Sequence, residues 1–303
     1  MIDLINTKSL DLLARQVVEG FITGLHKSPY QGFSVEFAEH RLYNKGESTK
    51  NIDWKLYGRT DKLYVKRYEE ETNLRCQLVL DVSSSMNYPK SKSSLSKLKY
   101  SVVCMASIAE LLRRQRDAIG LTTFNESVER HIRPKSSKAH LSFIQEELES
   151  VLKTEESLAG TSTAEVIHEV AEMIKQRSLV VLFTDFFDYN DEQGFRSKEL
   201  FDAVQHLRHK KHEVIVFHVS QVATERDFDF KDKWLKMVDL ESGEEMKLDV
   251  NTFKKDYSEY MNKYYKEIEV ELGNQKVDFI QVDVDKNPDQ VLLPFLLKRS
   301  KMF

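Results

Sequence analysis

The sequence predicts an α/β protein: a doubly wound, mostly parallel sheet with a small N-terminal α+β segment. Two observations predict it. Four short, largely apolar runs, Gln77–Val82, Ala118–Phe124, Leu179–Asp185 and Val214–Val219, have the composition of strands buried on both faces. Between them lie stretches whose apolar residues recur every three or four positions, the helical period. Strands alternating with helices give a parallel sheet, and right-handed crossovers place helices on both of its faces.

Each element can be justified in order. Leu10, Leu13, Val17, Phe21 and Leu25 mark an amphipathic helix over Ser9–Leu25, with Ser9 as its N-cap. Phe33, Val35 and Phe37 alternate with polar neighbours as in a half-buried strand, and a second strand is expected around Leu63, Val65 and Arg67. The stretch from Asn44 to Thr60 is polar. After the first apolar run, Leu95, Leu98, Val102, Met105, Ala109 and Leu112 line one face of a helix over Ser94–Gln115. An alternating edge strand is expected at Ser127–Ile132. Helices are expected near Leu141–Leu152, Thr163–Gln176, Lys198–Lys210 and Phe253–Val270, a last strand at Val277–Val284 and a last helix at Gln290–Lys298. Residues 221–249 interrupt the alternation. There Glu241-Ser242-Gly243-Glu244 separates two short alternating runs, the pattern of an inserted hairpin. The division expected is residues 1–73 as an N-terminal segment and 74–303 as the sheet domain.

Composition bounds the function. Apolar residues make up 41% of the 303, enough for a sizeable core, and a net charge of −4 gives no electrostatic case for nucleic acid. No apolar run approaches the roughly 18 residues of a membrane span, and the acidic start does not read as a signal peptide. Two cysteines, Cys76 and Cys104, are too few for a disulfide framework. A cytoplasmic setting is the expectation.

The chemistry concentrates where the first apolar run ends, at Asp81-Val82-Ser83-Ser84-Ser85. In open parallel sheets ligands bind beyond the carboxyl ends of the strands. A loop leaving a strand tip can turn the oxygens of Asp81, Ser83 and Ser85 to one point. One carboxylate and two hydroxyls are hard ligands, suited to Mg²⁺ or Mn²⁺ and poor for zinc. The same residues could instead cap a following helix. Two further pieces favour the metal. Gly160-Thr161 lies just before a helix, and the third apolar run ends in Thr184-Asp185.

Strand-acid, loop-threonine, strand-acid, in that order, resembles the metal-ion-dependent adhesion site of von Willebrand factor A domains. The resemblance implies a von Willebrand factor A-like, Rossmann-type fold. It also implies that Ser83, Ser85 and Thr161 touch the metal while Asp81 and Asp185 act largely through water. Thr161 is carried over rather than Thr163 because it directly follows the glycine. Phe186 stands where adhesion-type domains commonly carry glycine. With its acids outside the inner shell, such an ion stays electron-poor and keeps an exchangeable position, which an aspartate or glutamate of a partner can fill.

Upstream, Gly46-Glu47, Ile52-Asp53-Trp54-Lys55, His26-Lys27-Ser28-Pro29 and Phe37-Ala38-Glu39 resemble the bacterial domain-of-unknown-function family fifty-eight. This second resemblance covers nearly the whole chain. It implies a partner among MoxR-type AAA+ ATPases and a role in maturing other protein complexes. Many members carry transmembrane helices ahead of this block; the short segment preceding it here resembles the soluble branch. Asp53, Lys55, Arg59 and Asp61 around Trp54 are expected to dock the N-terminal segment onto the sheet domain, with a partner surface as the alternative.

The function expected is a non-catalytic, Mg²⁺-dependent interaction module. The alternatives are a metal-dependent phosphate-ester hydrolase with Asp81 as nucleophile, and a scaffold with an empty site. The hydrolase needs a second acid two residues on as general acid, and that position is Ser83. His206, His209 and His212 are read as a cationic helix end rather than ligands, Glu69-Glu70-Glu71 as a solvated face, and Cys104 as core.

Overall fold

The computed structural model describes residues 10–11, 13–15, 17–18, 40–43, 54–66, 74–90, 94–153, 162–186, 189–190, 194–195, 197–238 and 245–292. The chain divides into two compact units, Leu25–Asn73 and Met1–Gly24 with Leu74–Phe303. The first unit therefore begins later than the expected N-terminal segment, because Leu10, Leu13, Ala14 and Val17 are buried in the core of the sheet unit.

The described part of the smaller unit holds β1 (His40–Leu42), α1 (Trp54–Thr60) and β2 (Tyr64–Lys66), with β1 and β2 antiparallel. The helix is a finding: a seven-residue element containing Gly58 carries too little periodicity to be read in advance. Trp54 is 61% exposed and lies edge-on to Tyr57. Asp53, the Lys55 side chain and the expected strand at Phe33–Phe37 lie outside the described residues.

The larger unit begins with β3 (Arg75–Asp81), α2 (Lys97–Arg114), β4 (Ala118–Phe124), β5 (Val128–Lys135), α3 (Lys138–Val151), α4 (Thr163–Met173) and β6 (Leu179–Thr184). It continues with β7 (Tyr189–Asn190), β8 (Gly194–Phe195), α5 (Ser197–His209), β9 (Glu213–Ser220), β10 (Trp234–Val238), β11 (Glu245–Asp249), α6 (Val250–Asn274) and β12 (Asp278–Asp283). Residues 288–292 are helical. The central sheet runs β12-β9-β6-β3-β4-β5, parallel except for the antiparallel edge β5. Its inner strands are buried along almost their whole length, as their composition requires.

Alternate residues of each strand feed two cores. On one face Leu78, Leu80, Leu121 and Phe217 meet α2, α3 and the helical residues near Leu10. On the other, Val79, Leu182 and Val216 meet α4, α5 and α6. The cores hold together by area: each buried large aliphatic side chain contributes about 1.5–3 kcal/mol. The expected hairpin is β10–β11, antiparallel with Met237 opposite Met246. A short π-helical turn at Val222–Arg226, not anticipated, precedes it.

Candidate metal centre

The strand order fixes where a site can form. From β3 the chain moves to β4 on one side, then returns across β3 to β6 and continues outward to β9 and β12. Connections leave in opposite directions at β3 and β6, so a crevice opens at their carboxyl ends. Asp81 ends β3 and Asp185 directly follows β6. The two sequence-predicted acids thus stand on neighbouring strand tips.

Asp81 is fully buried and held on both oxygens. The Ser83 backbone N–H donates to its Oδ1 (3.0 Å), and the Thr184 hydroxyl donates to its Oδ2 (2.7 Å). Burial, and then the negative charge of Asp185, push its carboxyl up to about 7 despite these bonds. The crevice is therefore short of positive charge at Asp81.

Ser83 and Ser85 supply the hydroxyls. Their Oγ atoms are 3.0 Å apart at the start of a 3-10 turn over Ser84–Asn87. Two oxygens on adjacent corners of a Mg²⁺ octahedron, at the usual ~2.1 Å from the metal, are about 3.0 Å apart. The spacing and the hard donors both fit Mg²⁺ or Mn²⁺. Ser83 makes no side-chain cap to that turn, so capping is not what its hydroxyl does there. Thr161 lies outside the described residues; Ser162, beside it, bonds the Asn125 carbonyl through its N–H (3.3 Å).

Three residues not foreseen complete the crevice. Lys97, in the first turn of α2, is 1% exposed, and its ammonium donates to Asp185 Oδ2 (2.7 Å) and to Glu225 Oε1 (2.5 Å). Ser96 caps the helix and fixes Lys97 at its start. That is the positive end of the helix dipole, an unfavourable place for a cation. Burial there works to strip the proton, but the two carboxylates outweigh it and hold Lys97 charged. Glu225, on the π-helical turn, is kept in place by the Gln221 N–H on its other oxygen (2.6 Å); burial raises its carboxyl despite Lys97. The third, His218 on β9, donates from Nε2 to the Asp185 carbonyl (2.9 Å). Burial lowers its pKa to about 4, so it is neutral.

The segment after Asp185 is pinned as firmly. Phe186 has φ +52°, the left-handed region that glycine enters freely. Its ring is buried, its N–H donates to the Thr184 hydroxyl (3.1 Å) and its carbonyl accepts from Tyr264 (2.9 Å).

His206 faces Glu172 (3.1 Å) and His168 (3.0 Å), whereas the Nδ1 of His212 accepts from the Ser178 N–H (3.2 Å). Cys104 and Cys76 are buried and form no disulfide. Among the described residues, no three or more His, Cys, Asp or Glu side chains form a metal cage. The candidate centre depends on hydroxyls instead.

A mostly parallel sheet with an acid-and-serine loop at its reversal point defines a von Willebrand factor A-like domain, a Rossmann-type α/β fold. The family model described as "Protein of unknown function DUF58" matches residues 39–267, and the chain belongs to that family. Uncharacterized proteins of Mycobacterium bovis and Mycobacterium tuberculosis are 22% identical over 179 residues; the match spans 59% of this chain and 56% of theirs. Among solved structures, the conserved hypothetical protein BatB of Bacteroides thetaiotaomicron is 15% identical with a TM-score of 0.46, covering 75% of this chain and 99% of that one. An aerotolerance-related membrane protein of Bacteroides fragilis gives 16% and 0.44 over 75% and 99%. The SpRpn10 VWA domain gives 11% and 0.40 over 74% and 93%. No helix among the described residues is long and apolar enough to cross a membrane.

Proposed function

We propose that this protein is a non-catalytic interaction module that captures an aspartate or glutamate of a partner protein through a Mg²⁺ or Mn²⁺ ion. Asp81, Ser83, Ser85, Thr161 and Asp185 hold the ion. The observation that carries the reading is the 3.0 Å pair of hydroxyls beside the buried Asp81 carboxylate. Asp81, already bonded on both oxygens, serves through water; the serines serve directly. Such a shell leaves the ion with net positive charge and an exchangeable corner for an incoming carboxylate.

The position two residues after Asp81 carries a hydroxyl, Ser83, rather than an acid, so the phosphate-ester reading has no supporting group. The partner class that the family resemblance implies is a MoxR-type AAA+ ATPase, acting with this module on the assembly or maturation of other proteins. A pull-down from lysate with Mg²⁺ and with EDTA tests this reading. An ATPase of that type should be retained only with metal, and the Asp81→Ala chain should lose it in both. Equal recovery with EDTA refutes metal-dependent capture.

A further inference from the structure

We propose that the groove between α6 and the edge strand β12 binds a small aromatic carboxylate, at a site that does not depend on the metal centre. The groove holds about 410 Å³, within the roughly 300–1,000 Å³ of small-molecule sites. Its floor is aromatic. Tyr265 of α6 and Phe279 of β12 line it, and both rings pack on the buried His218 ring, with centroids 4.8 and 5.7 Å away. A flat apolar body can lie on such a floor. Asn262, Tyr265, Lys266 and Glu269 recur at three- and four-residue spacing, so one face of α6 supplies the wall.

The polar groups specify the other end of the ligand. Arg226 ends the π-helical turn after β9, and the Tyr257 hydroxyl ties that turn to α6 by donating to the Glu225 carbonyl (2.9 Å). Asn262 holds the guanidinium in place. Its Oδ1 accepts from Arg226 Nε (2.8 Å), while its Nδ2 donates to the Ser258 carbonyl (2.7 Å). Both Nη groups of Arg226 are left without a hydrogen-bond partner among the described residues, a planar fork that matches a carboxylate. Tyr265 is 5% exposed, yet its hydroxyl makes no hydrogen bond among the described residues, where a buried phenol ordinarily finds one. Carboxylate oxygens in the groove would answer both. Glu269 bonds Lys266 (2.9 Å) and Asp227 lies 3.9 Å from Arg226 Nε, each acid about half exposed. With so little surplus positive charge, a carboxylate of one charge is favoured over a phosphate of nearly two.

Ligand-observed NMR titration of the full chain with benzoate, its neutral analogue benzamide, and phenyl phosphate tests the site. Benzoate should bind, and benzamide should bind about tenfold more weakly or worse, because charge-assisted hydrogen bonds are the strong ones. Arg226→Gln should weaken benzoate about tenfold or more, and Tyr265→Phe about threefold, the usual reach of a charged and of a neutral hydrogen bond. The Tyr265→Phe chain should keep the wild-type midpoint in urea, since the hydroxyl it loses bonds nothing among the described residues. Its weaker binding then cannot be loss of fold, which keeps the test decisive should Arg226→Gln unfold. Benzoate bound equally by the wild type and by these variants, or no better than benzamide, overturns the site, as does a wild-type chain that binds no benzoate. Phenyl phosphate bound more tightly than benzoate overturns the assignment to carboxylate.

Discussion

Asp81 is bound by conflicting demands. A carboxylate with no exposure, beside a second acid, destabilises the fold it belongs to unless a cation answers it. Asp81→Asn keeps the shape and removes the charge. The metal-free variant should gain about 1–3 kcal/mol of stability in urea unfolding, the range of ordinary single-residue effects. It should also lose any stabilisation by Mg²⁺. A variant that is less stable without metal would mean the charge is already balanced. His212 offers a pH test away from the centre. Its Nδ1 accepts the Ser178 N–H, and burial first, then Lys210, lower its pKa, so the fold prefers the neutral ring. Below a pH of about 6.5 the unfolded chain takes up that proton more readily than the folded one. Stability should therefore fall as pH drops through that value, and the slope should flatten in His212→Gln. At this scale Asp81, Ser83 and Ser85 were legible because five consecutive positions carry them. Lys97 was not: its partners are 88 and 128 positions away, and only folding reveals them.

Helices and strands were legible to the extent that their burial left a period. The four inner strands are apolar runs because neither face meets water. The hairpin was visible through the alternation of its two strands. The π-helical turn that carries Glu225 has no buried residue, hence no hydrophobic pattern, and escaped notice. One glycine illustrates how an element depends on a single position. Between Ile119 and Leu121, the β4–β5 pairing skips a step, and a Cβ at Gly120 would lie 2.5 Å from the Ile132 carbonyl oxygen. Gly120→Ala should therefore destabilise the sheet by roughly 1–3 kcal/mol through overpacking, read in denaturant unfolding. A neutral result would show that the edge strand yields freely. At the start of α2, removing the Ser96 hydroxyl, which accepts from the Lys99 N–H, should cost about 1 kcal/mol by the same measurement.

For the whole molecule, the fold class followed from alternation, but strand order did not, since buried strands look alike in sequence. The reversal at β3 and β6 is a property of topology, and it is what makes two separated acids neighbours. The unit boundary was misplaced for a similar reason: an amphipathic helix near Leu10 announces a buried face without saying against what. A metal at the reversal point should be felt globally. Mg²⁺ at ten times its dissociation constant should add about 1.4 kcal/mol, or roughly 2 °C in melting temperature for a chain of this length. No shift would argue for the scaffold reading.

The aromatic after Asp185 extends this coupling between site and whole. Where glycine would give a loop free to breathe on its own, Phe186 ties the backbone turn to the interior through its buried ring and the Tyr264 hydroxyl. The Phe186 amide should consequently exchange with deuterium only when the entire unit opens, at the same free energy as the amides of β6. On the proposed reading, release of a captured carboxylate would then come from ion loss or from work done on the domain as a body, not from local loosening of this turn.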